Sequence, residues 1–144
     1  MINDNIYWDG GIFNSCDETI QGGKGFSNIV FPGSVIGLSG DLGAGKTTFV
    51  KGLLEGLGYA GNVTSPTFTL VNQYNLDSTI YHIDCYRETD LKSWVKLGIN
   101  EYINSDSIVI IEWYGYIESI LPSDMIKIDF RMLSQNSRQI VVRK

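Results

Sequence analysis

Hydrophobic positions along the chain follow two rhythms. Val35-Ile36-Gly37-Leu38 and Ile108-Val109-Ile110-Ile111 are short continuous apolar runs, read as buried strands, the second central and covered on both faces. Between them Phe49, Val50, Leu53, Leu54 and Leu57 recur at helical spacing, and Gly58 ends that helix. Thr67–Tyr74 and Thr79–Tyr86 are β-rich segments around Asn75-Leu76-Asp77-Ser78, the pattern of an antiparallel hairpin. Met125–Arg131 and Gln139–Arg143 repeat that pattern across Ser134-Gln135-Asn136-Ser137. Ser15-Cys16-Asp17-Glu18 has capping-box spacing and predicts a helix starting near Cys16. Gly22, Gly23 and Gly25 each weaken it by up to ~1 kcal/mol relative to Ala, so a short or loosely held helix is expected. Asp90 caps a further helix carrying Leu91, Trp94, Val95 and Leu97. The sum is an α/β fold of three layers with a mixed sheet, parallel at its centre and antiparallel at its margins.

The chain has 144 residues with no repeat, linker or low-complexity tract, which predicts one domain over residues 1–144. Hydrophobic residues at 43% and charged residues at 19% exclude a disordered composition, and no apolar run approaches the ~20 residues of a membrane helix. Met1-Ile2-Asn3-Asp4 lacks the basic and apolar regions of a signal peptide. Cys16 and Cys85 lie far apart, outside any metal-ligand spacing, and read as reduced core thiols of a cytoplasmic protein. Sixteen acidic and eleven basic residues give a net charge of −5, which argues against direct capture of DNA or tRNA phosphates. Lys127, Arg131, Arg138, Arg143 and Lys144 gather at the C-terminus and read as a solvated edge hairpin in preference to a partner-facing or RNA-facing strip.

The chemistry sits after the first apolar run. Gly40-Asp41-Leu42-Gly43-Ala44-Gly45-Lys46-Thr47 matches GxxxxGK[ST], with a strand before it and a helix after, the context of a P-loop. Glycines let successive backbone N–H groups turn around phosphate oxygens, and the helix N-terminus adds its dipole. Lys46 brings a charge to the β- and γ-phosphates, and the Thr47 hydroxyl can sit on Mg²⁺. ATP and Mg²⁺ are therefore the expected ligands. Such a site also needs an acid at the end of a neighbouring strand. Glu112 follows the second apolar run, and Asp84 follows Ile80-Tyr81-His82-Ile83; both are candidates. On the Asp84 strand, His82, Asp84 and Tyr86 share one face, which reads as lining the nucleotide crevice or as the wet face of an edge strand. His82, the only histidine, is read first as a hydrogen-bonded structural residue and second as an acid–base group. Arg87 can meet developing phosphate charge or pair with a surface carboxylate. Ser65-Pro66-Thr67-Phe68 is either a flap over the phosphates or the lead-in to its strand.

Together these segments resemble the TsaE family (also called YjeE), bacterial ATPases of tRNA threonylcarbamoyladenosine synthesis. The matching pieces are Gly40–Phe49 with Thr48, Val63–Leu70, His82-Ile83-Asp84-Cys85-Tyr86-Arg87, Leu97–Tyr102 and Glu112-Trp113, in the family's order. The resemblance implies a P-loop NTPase-like domain in which Lys46 and the amides of Gly40–Thr48 hold the phosphates. It further implies that Thr47 and Glu112 bind Mg²⁺ and that Asp84 acts in hydrolysis. It implies an accessory ATPase, weak alone, that works with a TsaB–TsaD pair on adenosine 37 of tRNAs reading ANN codons and meets tRNA only through that pair. Two departures stand out: the glycine-rich first helix, near where the family places the adenine, and Tyr114, where a small residue or proline is common.

Two other classes use the same loop. A small-molecule or nucleotide kinase usually brings several arginines to its phosphates. This chain has four, of which only Arg87 is expected near the phosphate half. A nucleotide-sensing module without turnover differs from an accessory ATPase only in its response to partners.

Overall fold

The computed structural model describes residues 10–143 and contains one seven-stranded sheet in the order β1-β7-β6-β2-β5-β4-β3. The strands are β1 (Gly10–Phe13), β2 (Val35–Ser39), β3 (Val71–Asn75), β4 (Thr79–Asp84), β5 (Ser107–Glu112), β6 (Ile126–Met132) and β7 (Arg138–Arg143). β6, β2, β5 and β4 run parallel at the centre; β3 on β4, β7 on β6 and β1 on β7 are antiparallel. The helices are α1 (Cys16–Phe26), α2 (Lys46–Gly56), α3 (Leu91–Lys96) and α4 (Ile99–Tyr102). A 3₁₀ segment, Tyr114–Ile120, follows β5.

Both faces of the sheet are covered. Phe26, Phe49, Leu53 and Leu54 of α1 and α2 pack with Ile36, Leu38, Ile108, Ile110 and Ile128. Trp94, Ile99, Tyr114 and Ile117 pack with Val35, Ile83, Val109 and Ile111 on the other side. Neighbouring residues of β2 and β5 thus serve opposite cores, which is why their sequences are apolar throughout. Tyr114, the departure from the family pattern, is buried beneath Gly37, whose missing Cβ leaves room for its ring.

Four expectations are corrected. First, α1 is eleven residues long and well held. Its close seat on α2 is the reason: a Cβ at Gly23 of α1 would collide with the Phe49 carbonyl, and one at Gly52 of α2 with the Ile20 carbonyl. The lost helix propensity is exchanged for close approach of α1 to α2. Second, the segment before β3 is a turn, because Leu70 takes φ +68 and its N–H reaches back to the Pro66 carbonyl at 2.6 Å. Third, of the two readings of the Asp84 strand the edge-strand alternative falls away, since β4 lies between β5 and β3. Fourth, the C-terminal hairpin is not the sheet edge, since β1 pairs with β7. The Met1–Asp4 and Lys144 readings lie outside the described residues.

Candidate functional site

The loop between β2 and α2 needs glycine at three points. Gly40, Gly43 and Gly45 have φ of +144°, +81° and +100°. A side chain at Gly40 would press on the Phe130 carbonyl, and one at Gly45 on the Arg138 guanidinium. The chain therefore folds back tightly and starts α2 at Lys46, leaving the first helical amides without intrahelical partners, the arrangement that favours a bound anion.

Register carries two acids to the same end of the sheet. Glu112, the last residue of β5, stands opposite Leu38 of β2 on one side and Asp84 of β4 on the other. A cavity of about 320 Å³ opens there, bordered by Leu42, Gly43, Lys46, Thr47, Thr48, Ser65, Thr67, Asp84, Glu112 and Trp113. This is the crevice beyond the carboxyl ends of parallel strands, where α/β sheets take ligands.

Lys46 is 5% exposed; its Nζ donates to the Gly40 carbonyl and lies 4.1 Å from the Trp113 ring centroid. Burial lowers its pKa, against the attraction of Glu112, Asp84 and Asp41. Trp113 holds its ring there from a left-handed backbone (φ 58°, ψ 39°), with its backbone N–H donating to the Leu38 carbonyl at 3.2 Å. Asp84 has both oxygens engaged: Oδ1 accepts from the Tyr86 N–H at 2.8 Å and Oδ2 from the Thr67 hydroxyl at 3.0 Å. Ser65 Oγ lies 2.7 Å from that hydroxyl. The Ser-Pro-Thr turn is thereby tied to the acid. His82 is wholly buried, with Nε2 2.6 Å from Glu112 Oε2.

Not every expected residue borders the cavity. Ala44 is buried in the core, the Asp41 side chain is exposed, and Gly40 lies against Phe130. Arg87 meets neither phosphate space nor carboxylate; it is exposed and stacks 5.1 Å over the Phe68 ring. Cys85 is the core thiol expected, its pKa pushed up to about 12 by burial and the nearby Asp84. Cys16 is not: it is exposed at the start of α1 and borders the cavity.

Arg138 was missed. It is 7% exposed, borders the cavity, and its Nε has no hydrogen-bond partner among the described residues. The available signal was alternation: Arg138 stands in phase with Ile140 and Val142, which pack with the same core. Two other C-terminal bases carry no free charge, since Arg143 holds both oxygens of Asp129 at 2.7 and 3.1 Å and Lys127 meets Glu118 at 2.6 Å.

The donor set suits its expected ligands. Hydroxyl and carboxylate oxygens from Thr47, Glu112 and Asp84 are hard ligands appropriate to Mg²⁺. Among the described residues no group of three or more His, Cys, Asp or Glu can hold a metal unaided. That is the expectation for an ion that takes further oxygens from substrate phosphates. The unpartnered Arg138 Nε and the buried Lys46 ammonium both suit an anion. Fold and site together define a P-loop nucleotide-binding protein of the mixed-sheet α/β class.

Comparison with known proteins narrows the class. The family model described as "Threonylcarbamoyl adenosine biosynthesis protein TsaE" matches residues 13–140. The Haemophilus influenzae tRNA threonylcarbamoyladenosine biosynthesis protein TsaE is 44% identical over 116 residues, 75% of this chain and 73% of that protein. The Treponema pallidum protein of the same name is 38% identical over 131 residues, 91% of this chain and 97% of that protein. The crystal structure of Bacillus subtilis YdiB superposes with a TM-score of 0.79 at 34% identity, covering 92% of this chain and 82% of that one. The chain belongs to the TsaE family.

Proposed function

We propose that this protein is the ATP-hydrolysing accessory factor of tRNA threonylcarbamoyladenosine synthesis, acting with a TsaB–TsaD-like transferase pair. The observation that carries the reading is the convergence of Lys46, Thr47, Asp84 and Glu112 on one cavity in a chain of this family. In this reading the loop amides, Lys46 and Arg138 hold the triphosphate. Thr47 and Glu112 hold Mg²⁺, which when bound neutralises charge on the β- and γ-phosphates. Asp84, an acceptor fixed by Thr67 and the Tyr86 amide, orients the attacking water. Contact with tRNA is made through the partner pair, in keeping with the net charge of −5.

The test is phosphate release and threonylcarbamoylated tRNA measured with and without a TsaB–TsaD pair. The expected result is weak hydrolysis alone, stimulation by the pair, and loss of both signals in Lys46→Ala. Glu112→Gln should bind nucleotide with much weaker dependence on Mg²⁺, whereas Asp84→Asn should keep binding and lose turnover. Exchanged phenotypes would reverse the two roles. A phosphorylated small molecule would make the protein a kinase; unstimulated binding without turnover would make it a sensor.

A further inference from the structure

The most deeply buried polar contact near the site is made by a residue that the proposed chemistry leaves unused. His82 has no exposed surface, and its Nε2 lies 2.6 Å from Glu112 Oε2. Its other nitrogen, Nδ1, is buried with no hydrogen-bond partner among the described residues. β4 and β5 are in parallel register, with His82 opposite Ile110 and Asp84 opposite Glu112, so His82 reaches along the strands to the acid one step further on. A second proton on Nδ1 would be a buried donor without an acceptor, which is costly. The geometry therefore places the ring proton on Nε2, donating to the carboxylate. Oε1 of Glu112 has no hydrogen-bond partner among the described residues, and Glu112 borders the cavity.

We infer that His82 is the positioning residue of Glu112: its Nε2–H pins Oε2 and presents Oε1 to the divalent cation. The inference rests on the reading of Glu112 as the metal ligand. The physical logic is that a carboxylate swinging about its side-chain torsions pays ordering entropy on meeting the ion, and a hydrogen bond made beforehand removes that cost. Changes to such supporting groups typically weaken metal affinity or activity by about 10–100-fold.

Two variants and one spectrum test it. His82→Phe keeps the buried ring volume and removes the donor, while His82→Gln puts an amide donor near the Nε2 position. Each is assayed for Mg²⁺-dependent binding of a non-hydrolysable ATP analogue and for binding of ADP in EDTA. The expected result is Mg²⁺ affinity about 10–100-fold weaker in His82→Phe, largely restored in His82→Gln, with ADP binding in EDTA unchanged. Mg²⁺ affinity within twofold of the parent in His82→Phe overturns the inference. Equal loss in both assays makes His82 merely structural and overturns it too. A parent whose analogue binding ignores Mg²⁺ overturns the Glu112 reading itself, a separate failure visible before any variant is made. If His82→Phe does not fold, ¹⁵N NMR of the parent decides, since the chain has one histidine. A protonated Nε2 with bare Nδ1 supports the inference; the opposite tautomer overturns it.

Discussion

Lys46 is a buried charge whose burial works against it. Burial lowers its pKa from 10.5 despite three nearby carboxylates, so the charged form is less favourable here than in the unfolded chain. The sign for stability follows. Below the lowered pKa the folded state bears the full cost, and as pH rises from there to 10.5 the cost disappears. Lys46→Met should therefore be more stable than the parent at pH 7, by an advantage that shrinks as pH approaches 10.5, read as thermal midpoints without nucleotide. On the proposed function the same substitution removes the charge that meets the phosphates, so stability and function pull in opposite directions at this residue. The two thiols give a second residue-scale expectation. With its pKa near 12, buried Cys85 has almost no thiolate at pH 8, whereas Cys16 is exposed. Iodoacetamide should add one label to the native protein, on Cys16, and ATP should slow the reaction because that thiol borders the cavity. Peptide mass spectrometry checks both points.

At the scale of elements, α1 and α2 depend on each other. α1 begins with Ser15 Oγ accepting the Glu18 amide at 3.0 Å, a cap worth about 1 kcal/mol. Its glycines then give up roughly 1 kcal/mol each of intrinsic propensity, and at Gly23 the missing Cβ lets α1 seat against the backbone of α2. Gly52→Ala should expose this dependence. The added methyl meets backbone at Ile20, which cannot rotate away, so a loss of about 1–3 kcal/mol or more is expected. In a domain of this size that is several degrees in thermal midpoint. Gly58→Ala provides a contrast, since no atom lies near its absent Cβ and only its φ of +103° resists substitution.

At the scale of the whole molecule, a chain of contacts joins the site to exposed side chains. Asp84 is bonded to Thr67, whose neighbour Phe68 is 84% exposed and carries Arg87 on its ring. Trp113 contacts Lys46 on one side and the exposed Tyr86 on the other, with ring centroids 4.9 Å apart. Drawing Lys46 onto the γ-phosphate would remove its contact with Trp113. Partner affinity for a TsaB–TsaD pair should therefore differ between a non-hydrolysable ATP analogue and ADP by about 5–150-fold, the usual range of such coupling. Equal affinities would overturn this coupling, because a ligand without differential affinity shifts nothing.

Much of this was legible in the chain. The loop from Gly40 to Thr47, both central strands and α2 followed from short-range rules: glycine where φ is positive, apolar runs where both sheet faces are covered, a 3.6-residue period where one helix face is buried. Glu112 and Asp84 were legible as candidates because each ends a strand. Resemblance to TsaE then rested on motifs spaced along the same stretch. What tertiary structure alone decided lies in relations between distant segments. β1 carries two glycines and no pattern of its own, and exists because β7 offers it an edge. The glycines of α1 look like helix breakers until α2 is set against them. Arg138 looks like one more surface charge until β7, paired to β6 beside β2, brings it to the cavity. His82 and Glu112 are thirty positions apart and meet only because β4 and β5 lie side by side in one register. Local rules concern what a residue does to its own backbone; the partner of a buried polar atom is chosen by the packing of elements that no local pattern records.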